Sequence, residues 1–203
     1  MGMAAAMGLS VRGRVLLPQL FSDYRTTTGE RRPVRLAGAG EVQLDTQTAV
    51  DVRGPQLTLN QGRLLLATAA DTFVGIKTAH CWVRPAALSR LIISQDLAGQ
   101  HGTLVQMLAG SVVVEPLQGA RVAIGSGQQL TFDRHQSSPA QPLLPAADAW
   151  TRGLLIAERM PLAQVIEQLN RYRRGVLRCD PAVAGLQVSG SFSLDRPDAS
   201  LDL

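Results

Sequence analysis

Aromatic residues make up only 4% of this 203-residue chain, and lysine occurs once, at Lys77. The formal net charge is +4, but the arginines are spread along the sequence and are grouped only at 31–32 and 171–174. Surfaces that bind single-stranded nucleic acid combine a basic groove with aromatic stacking partners. The composition therefore favours scattered, solvated charges over a nucleic-acid-binding surface.

The sequence also lacks nucleotide-binding, metalloprotease, serine-hydrolase and kinase motifs. Its three histidines, His80, His101 and His135, lie in unrelated contexts without the spacing of metal ligands. Asp45 and Asp51 could form a carboxylate pair, although acids at strand ends are usually solvated or cap turns. We therefore expect no catalytic residue, no bound metal and no cofactor, so the protein is not predicted to be an enzyme.

Only two cysteines are present, Cys81 and Cys179, and they are far apart in the sequence. Two cysteines allow one disulfide at most, and their spacing does not establish that they meet. Because free cysteine is among the most buried residue types, we expect two buried or half-buried thiols. Cys81 directly follows His80, and adjacent residues of a strand point to opposite faces, which disfavours a Cys–His dyad.

No apolar run approaches the roughly 20 residues that a helix needs to cross a bilayer. Residues 1–10 are apolar, but they are short and lack the basic segment of a signal peptide. Arg12 and Arg14 follow them directly. Residues 1–22 are therefore interpreted as a leader or as the remnant of a membrane-proximal segment.

Short apolar runs separated by Gly, Pro and Asn fill residues 23–133, a pattern typical of antiparallel strands. The pattern predicts hairpins at residues 34–45, 103–115 and 121–132. Nine or more short strands with regular turns predict a mainly β protein with an N-terminal β-sandwich or β-roll.

Two details of this β region carry further expectations. Residues 57–59 and 62–67 are predicted to be separate strands, because the polar residues Asn60 and Gln61 lie between them. The region around Val113 is β-branched and apolar on both faces, which predicts a centrally placed strand.

Residues 134–149 contain three prolines and two serines, which is the composition of a linker. Residues 150–203 follow as a small α+β module with the order β-α-β-β. Pro161 is predicted at the first helical position. The helix carries an apolar stripe of Leu162, Val165, Ile166 and Leu169. The predicted strands of the module lie at 154–157, 176–179 and 186–194, and residues 198–203 are predicted to begin a second helix, so the module is predicted to be truncated.

Several segments together resemble the periplasmic region of FecR-like transmembrane sensors. Individually they are loose, but their order and spacing are specific, and they cover nearly everything after residue 22. The segments that carry the resemblance are 22–36, 44–52, 71–74, 105–114, 127–130 and 150–201. The last of them is similar to the short signalling domain of secretins and TonB-dependent transporters.

This resemblance implies a periplasmic domain that is anchored to the inner membrane in the full-length protein. It implies a signal received from the N-terminal signalling domain of an outer-membrane TonB-dependent transporter. That signal would report iron or siderophore status to an extracytoplasmic-function sigma factor, through a cytoplasmic region that this sequence does not include.

The partner-binding hypothesis concerns the strand near the end of the module, because an edge strand can accept a partner strand. One alternating set, Leu186, Val188 and Phe192, either binds the partner or packs on the apolar helix stripe. If it packs, the exposed set for binding is Gln187, Ser189 and Ser191.

The alternative hypothesis is a periplasmic β-sandwich that binds glycan or envelope polymer. It requires an exposed Trp82 beside a groove of Asp, Asn and Gln side chains. A hydrolase would need converging titratable groups, which the sequence does not offer.

Overall fold

The computed structural model describes residues 22–36, 40–71, 73–97, 101–133 and 136–200. It confirms a mainly β protein with a curled sheet and a small C-terminal unit of one helix and a strand pair. The strands are β1 (Tyr24–Arg25), β2 (Arg32–Leu36), β3 (Gly40–Leu44), β4 (Ala49–Arg53), β5 (Gln56–Ala67), β6 (Gly75–Lys77), β7 (Cys81–Pro85), β8 (Arg90–Gln95), β9 (Thr103–Ala109), β10 (Ser111–Pro116), β11 (Val122–Gly125), β12 (Gln128–Phe132), β13 (Gln141–Pro142), β14 (Leu154–Pro161) and β15 (Gln187–Ser193).

Strands β1–β13 form two packed layers, here called the body. The first layer contains β1, β4, β6, β7, β10 and β11, and the second contains β2, β3, β8, β9, β12 and β13. β5 belongs to both layers: Gln56–Thr58 pair with β6, whereas Gly62–Ala67 pair with β8. The two strands predicted at 57–59 and 62–67 are thus one bent strand. Gly62 permits the bend, because it has a φ of 93° and lies against the Thr48 backbone.

The hairpin predicted at residues 34–45 is present as β2–β3, although its turn at 37–39 lies outside the described residues. The other two predicted hairpins are wrong. β9 pairs with β8 and β12, β10 pairs with β7 and β11, and the short links at Gly110 and 126–127 carry the chain from one layer to the other. A short turn between two strand patterns does not reveal whether the strands pair or separate.

The body core lies between the layers and contains apolar side chains from nearly every strand. The second layer is buried on its other face too, because Leu64 and Leu66 face the body core while Leu65 faces the C-terminal unit. Val113 was predicted to be central, yet its side chain is 39% exposed. β10 is paired on both sides, but its outer face is covered by no other layer among the described elements.

Residues 149–200 form the C-terminal unit, here called the module. It contains a 3₁₀ helix at Ala149–Arg152, β14, the helix α1 (Leu162–Asn170) and β15. Pro161 precedes α1 as its N-cap instead of occupying the first helical position. The strand predicted at 176–179 is absent from the structure, because the side chain of Asn170 bonds both the N–H and the C=O of Leu177.

The predicted linker is partly structured. Gln141–Pro142 form β13 on the edge of the second layer, and Leu143 N donates to Gly127 O at 2.8 Å. At the C-terminal end, residues 197–200 form turns where a second helix was predicted, and 201–203 lie outside the described residues. None of the helices within the described ranges has the length and hydropathy of a membrane span.

Candidate docking surface

The module presents a two-stranded ribbon in which β15 pairs with β14 and, within the described residues, with no other strand. β14 bulges at Glu158–Arg159, where two residues lie opposite the single residue Ser189 between the pairs Ala157–Gly190 and Met160–Val188. Arg159 takes a positive φ of 47°, and its N–H donates to the Ser189 hydroxyl at 2.9 Å. This bond holds the bulge to β15 and leaves the β15 backbone regular.

The two predicted side-chain sets of β15 lie in different environments. Phe192 is buried in the module core and Val188 packs against that core, but Leu186 precedes the strand and is 57% exposed. Gln187, Ser189 and Ser191 are all exposed. The apolar set therefore divides: Phe192 and Val188 have a packing role, and Leu186 joins the three polar residues on the accessible side.

The backbone of β15 offers hydrogen-bonding groups along its outer edge. Leu162 N donates to Leu186 O, and Leu194 N donates to Gly153 O, both at 2.8 Å. Along a strand of an antiparallel pair, residues that bond to the partner strand alternate with residues whose N–H and C=O point away from it. Leu186 and Leu194 are residues of the first kind. Gln187 and Ser193 are therefore outward-facing, and the alternation of a strand gives Ser189 and Ser191 the same direction.

One end of this outer edge is closed by the module itself. The Ser193 N–H donates to Ser200 Oγ at 2.9 Å, and Ser200 Oγ lies 3.2 Å from Ser193 O. Since Ser200 satisfies Ser193, the edge from Gln187 to Ser191 remains as the segment that could pair with an extended chain.

Behind the ribbon, a buried charge cluster fixes the module to the body. We call Asp45, Arg63, Arg171 and Tyr172 the seam. Asp45 Oδ2 lies 2.7 Å from Arg63 Nη2 and 3.2 Å from Arg171 Nη2. The Tyr172 hydroxyl donates to Asp45 Oδ1 at 2.7 Å and accepts from Arg63 Nη2 at 2.8 Å. Two residues of the body are thus bonded to the two residues that follow α1.

Burial and charge act against each other in the seam. Burial disfavours the charge of Asp45, but Arg63 and Arg171 outweigh it and hold its pKa below the ordinary value. Burial raises the pKa of Tyr172 to about 12. Burial, followed by the like charge of Arg63, lowers the pKa of Arg171. The seam therefore contains one carboxylate, two cations and a neutral phenol.

The sequence interpretation missed the seam. Asp45 was expected to be solvated, and yet its side chain has no exposed surface. Arg171 belongs to the arginine group at 171–174, which was expected to be solvated, and instead it is buried against Asp45. Nothing in the local pattern distinguishes these residues, since the two contacting positions are 126 residues apart.

Further contacts run along the same junction. Arg63 lies over the Trp150 ring, 4.7 Å from its centroid, and Thr46 Oγ1 donates to Arg171 O at 3.0 Å. Arg31 forms an ion pair with Asp195. A groove of about 410 Å³ runs between the outer face of the second layer and the module, with Arg63, Trp150 and Tyr172 in its lining.

The remaining candidate residues do not converge. Cys81 is buried, Cys179 is half-buried, and both are free thiols. Burial raises the pKa of Cys81. His80 Nδ1 lies 3.1 Å from Thr103 Oγ1, and His135 is outside the described residues. Within the described ranges, no group of three His, Cys, Asp or Glu side chains could hold a metal ion.

Trp82, on which the glycan hypothesis depends, is half-buried. Lys77 and Arg84 both lie over its ring, at 5.8 and 5.5 Å from the centroid. The glycan hypothesis requires an exposed ring, and a half-buried ring flanked by two cations meets that requirement only in part.

Two crystal structures share the fold, each of a candidate anti-sigma factor from Parabacteroides distasonis. Their TM-scores are 0.69 and 0.68, with 16% sequence identity in both cases. The alignments cover 88% of this chain and 88% and 87% of the other chains. No protein family and no curated protein matches the sequence. At this identity, the likeness establishes the fold, body and module together.

Proposed function

We propose that this chain is the signal-receiving region of a transmembrane regulator of an extracytoplasmic-function sigma factor. The fold shared with two candidate anti-sigma factors, over nearly the whole of each chain, is the observation that carries the proposal. The resemblance to FecR-like sensors adds the finer part: a periplasmic location and a signal that reports iron or siderophore status.

In this proposal, the outer edge of β15 receives an extended segment of the N-terminal signalling domain of a TonB-dependent transporter. Addition of a strand uses the N–H and C=O groups of Gln187, Ser189 and Ser191, and side chains on alternate positions give specificity. The edge is short and ends at Ser193, which selects a partner segment of a few residues. Leu186 is exposed beside the edge and offers an apolar contact to the same segment.

The decisive experiment compares two substitutions at one position. Ser191→Pro removes an outward-facing N–H and places the ring where a partner strand would lie, while the β14 ladder does not use that N–H. Ser191→Ala keeps the backbone donor and is the matched control. We expect Ser191→Pro to abolish binding of the transporter signalling domain in calorimetry and Ser191→Ala to preserve it.

If both variants bind as tightly as the unchanged chain, β15 is not the docking edge. If the unchanged chain does not bind the signalling domain at all, the transporter partnership itself is wrong. Circular dichroism of both variants checks that the ribbon is intact. Point substitutions are preferable to removal of the module, because removal would leave Asp45 and Arg63 without their seam partners.

A further inference from the structure

One end of the body contains several of the links at which the chain passes between the two layers. We call this the crossover end; its described residues are the links 68–71, 73–74, 86–89, 109–110 and 126–127, together with the turn at 53–55 between β4 and β5. Backbone bonds draw the loops together: Gly75 N donates to Pro55 O, Thr68 N to Ser89 O, and Ala86 N to Ser111 O, at 3.1, 2.9 and 3.0 Å. Loops from several strands therefore meet on one small surface.

The crossover end exposes two large apolar side chains. Phe73 is 89% exposed and Leu88 is 71% exposed. Phe73 lies two residues before β6 and Leu88 lies three residues after β7. Because β6 and β7 pair antiparallel, these two loops are neighbours at the same end of the first layer. Scattered exposed apolar residues are normal, but two on adjacent loop tips indicate an interaction site.

The surface between these tips is also apolar. Pro55, Ala70 and Ala87 are exposed. Only Arg53 and Asp71 are charged among the described residues of the crossover end. The backbone bonds named above satisfy several of the loop N–H groups, which lowers the cost of moving these loops into a less polar medium.

Leu88 adds an independent observation, because its φ is 54°. A left-handed conformation is rare for a bulky residue, and turn positions of this kind usually hold Gly or Asn. Burial inside the body does not offset the strain, since most of the side chain faces solvent. An outlier of this kind points to a role outside the folded body.

The direction of β1 relates the crossover end to the N-terminal part of the chain. β1 runs antiparallel to β4, with Arg25 opposite Ala49 and Tyr24 opposite Val50. Val52 N then donates to Asp23 Oδ2 at 2.8 Å. From Arg25 back to Asp23, the chain therefore moves towards Arg53 and the crossover end. The 21 residues that precede Ser22 in the sequence are rich in apolar side chains.

We propose that the crossover end contacts a phospholipid bilayer, with Phe73 and Leu88 inserted at the boundary between headgroups and acyl chains. Apolar side chains on a rigid frame bind such a boundary through the area that they bury, and anionic lipids add attraction for a cationic protein. The net charge of +4 and Arg53 at the rim fit an anionic surface. This inference does not depend on the β15 docking edge.

The test measures cosedimentation of the full chain with vesicles of phosphatidylethanolamine and phosphatidylglycerol. The tip variant is Phe73→Ser with Leu88→Asn, because Asn tolerates a positive φ. The matched control is Leu117→Ser with Val176→Ser, two residues that are 52% and 78% exposed away from the crossover end. We expect the tip variant to lower the partition coefficient by about tenfold or more and the control to leave it unchanged.

A second readout reports insertion directly. In vesicles with brominated acyl chains, Phe73→Trp should be quenched more strongly than Leu117→Trp, with the native tryptophans common to both. Equal partitioning of the tip and control variants, equal quenching, or no vesicle binding by the unchanged chain would each overturn the proposal. One of those results would be observed if the N-terminal residues alone bound the vesicles, or if the tip surface bound a protein partner and not lipid.

Discussion

The body and the module differ in how they complete their cores: the body fills its own core, whereas the module core includes residues of the body. The body core consists mainly of apolar side chains, with Leu44, Leu57, Leu64 and Phe132 among its fully buried members. The module core includes Val165, Leu169 and Phe192, and it is completed by Leu65 and Ile92 of the body. Because Leu65 and Ile92 belong to the same apolar cluster as the module residues, the module buries its apolar face on a surface that the body supplies.

The seam differs from both apolar cores, because it buries charged side chains between the body and the module. A buried ion pair contributes less to net stability than its contacts suggest, since desolvation offsets much of the attraction. It does, however, penalise any arrangement in which one partner is missing. We therefore expect the seam to set the position of the module on the body more than to strengthen the fold.

The largest effect is expected from Asp45→Asn, which would leave the buried guanidiniums of Arg63 and Arg171 without a counter-charge. Breaking a buried pair by removal of one partner costs about 3–5 kcal/mol. Urea denaturation should show this loss of stability. Hydrogen exchange should accelerate in residues 154–193 while the amides of β8 and β9 remain protected; equal acceleration in both regions would contradict the division between body and module.

A smaller effect on stability is expected from ionisation of the Tyr172 phenol, which can be measured separately from the ion pairs of the seam. The folded pKa of Tyr172 is raised to about 12 from the ordinary value of 10. The contribution of protonated Tyr172 to the free energy of unfolding is therefore fully present below pH 10. It is lost as the pH rises towards 12, because the tyrosine loses its proton at a lower pH in the unfolded chain than in the folded one. Two pKa units correspond to about 2.7 kcal/mol.

Denaturation at several pH values should show this decline, and Tyr172→Phe should remove it while lowering stability at neutral pH through the lost bond to Asp45. A Tyr172→Phe variant with the same alkaline slope as the unchanged chain would show that another group titrates there.

The smallest effect is expected from Asp195→Asn. Asp195 pairs with Arg31 across the same junction, but its side chain is 63% exposed. Exposed pairs contribute up to about 1 kcal/mol and are screened by salt. A thermal melt in low and high salt should show a small difference that disappears with salt. A loss comparable to that of Asp45→Asn would mean that exposure does not distinguish the two pairs.

Local sequence patterns predicted the positions of the helices and strands better than they predicted which strands pair. The strands of the body, the helix after Pro161 and the alternation at 187–193 follow from the two-residue and 3.6-residue periods of the side chains. The hairpins at 103–115 and 121–132 failed because the links at Gly110 and 126–127 connect different layers. The strand predicted at 176–179 failed because the Asn170 side chain competes for the backbone of Leu177.

The candidate site shows the same division. The alternation of side chains along the strand was sufficient to predict that Phe192 and Ser191 lie on opposite faces, and the exposure of Ser191 agrees with this. The closure of Ser193 by Ser200 and the outward direction of the β15 backbone required the pairing register with β14. The assignment of β15 as a partner-binding strand stays a prediction.

The sequence by itself determined the β-rich class of the fold, the amphipathic helix and the alternating last strand, because these depend on side-chain periods within short segments. Only the tertiary structure decided which strands pair, that Phe73 and Leu88 share one end, and that Asp45 is buried beside Arg171. Each of these depends on residues brought together from distant parts of the chain, where burial and charge act on pairs that no local pattern connects.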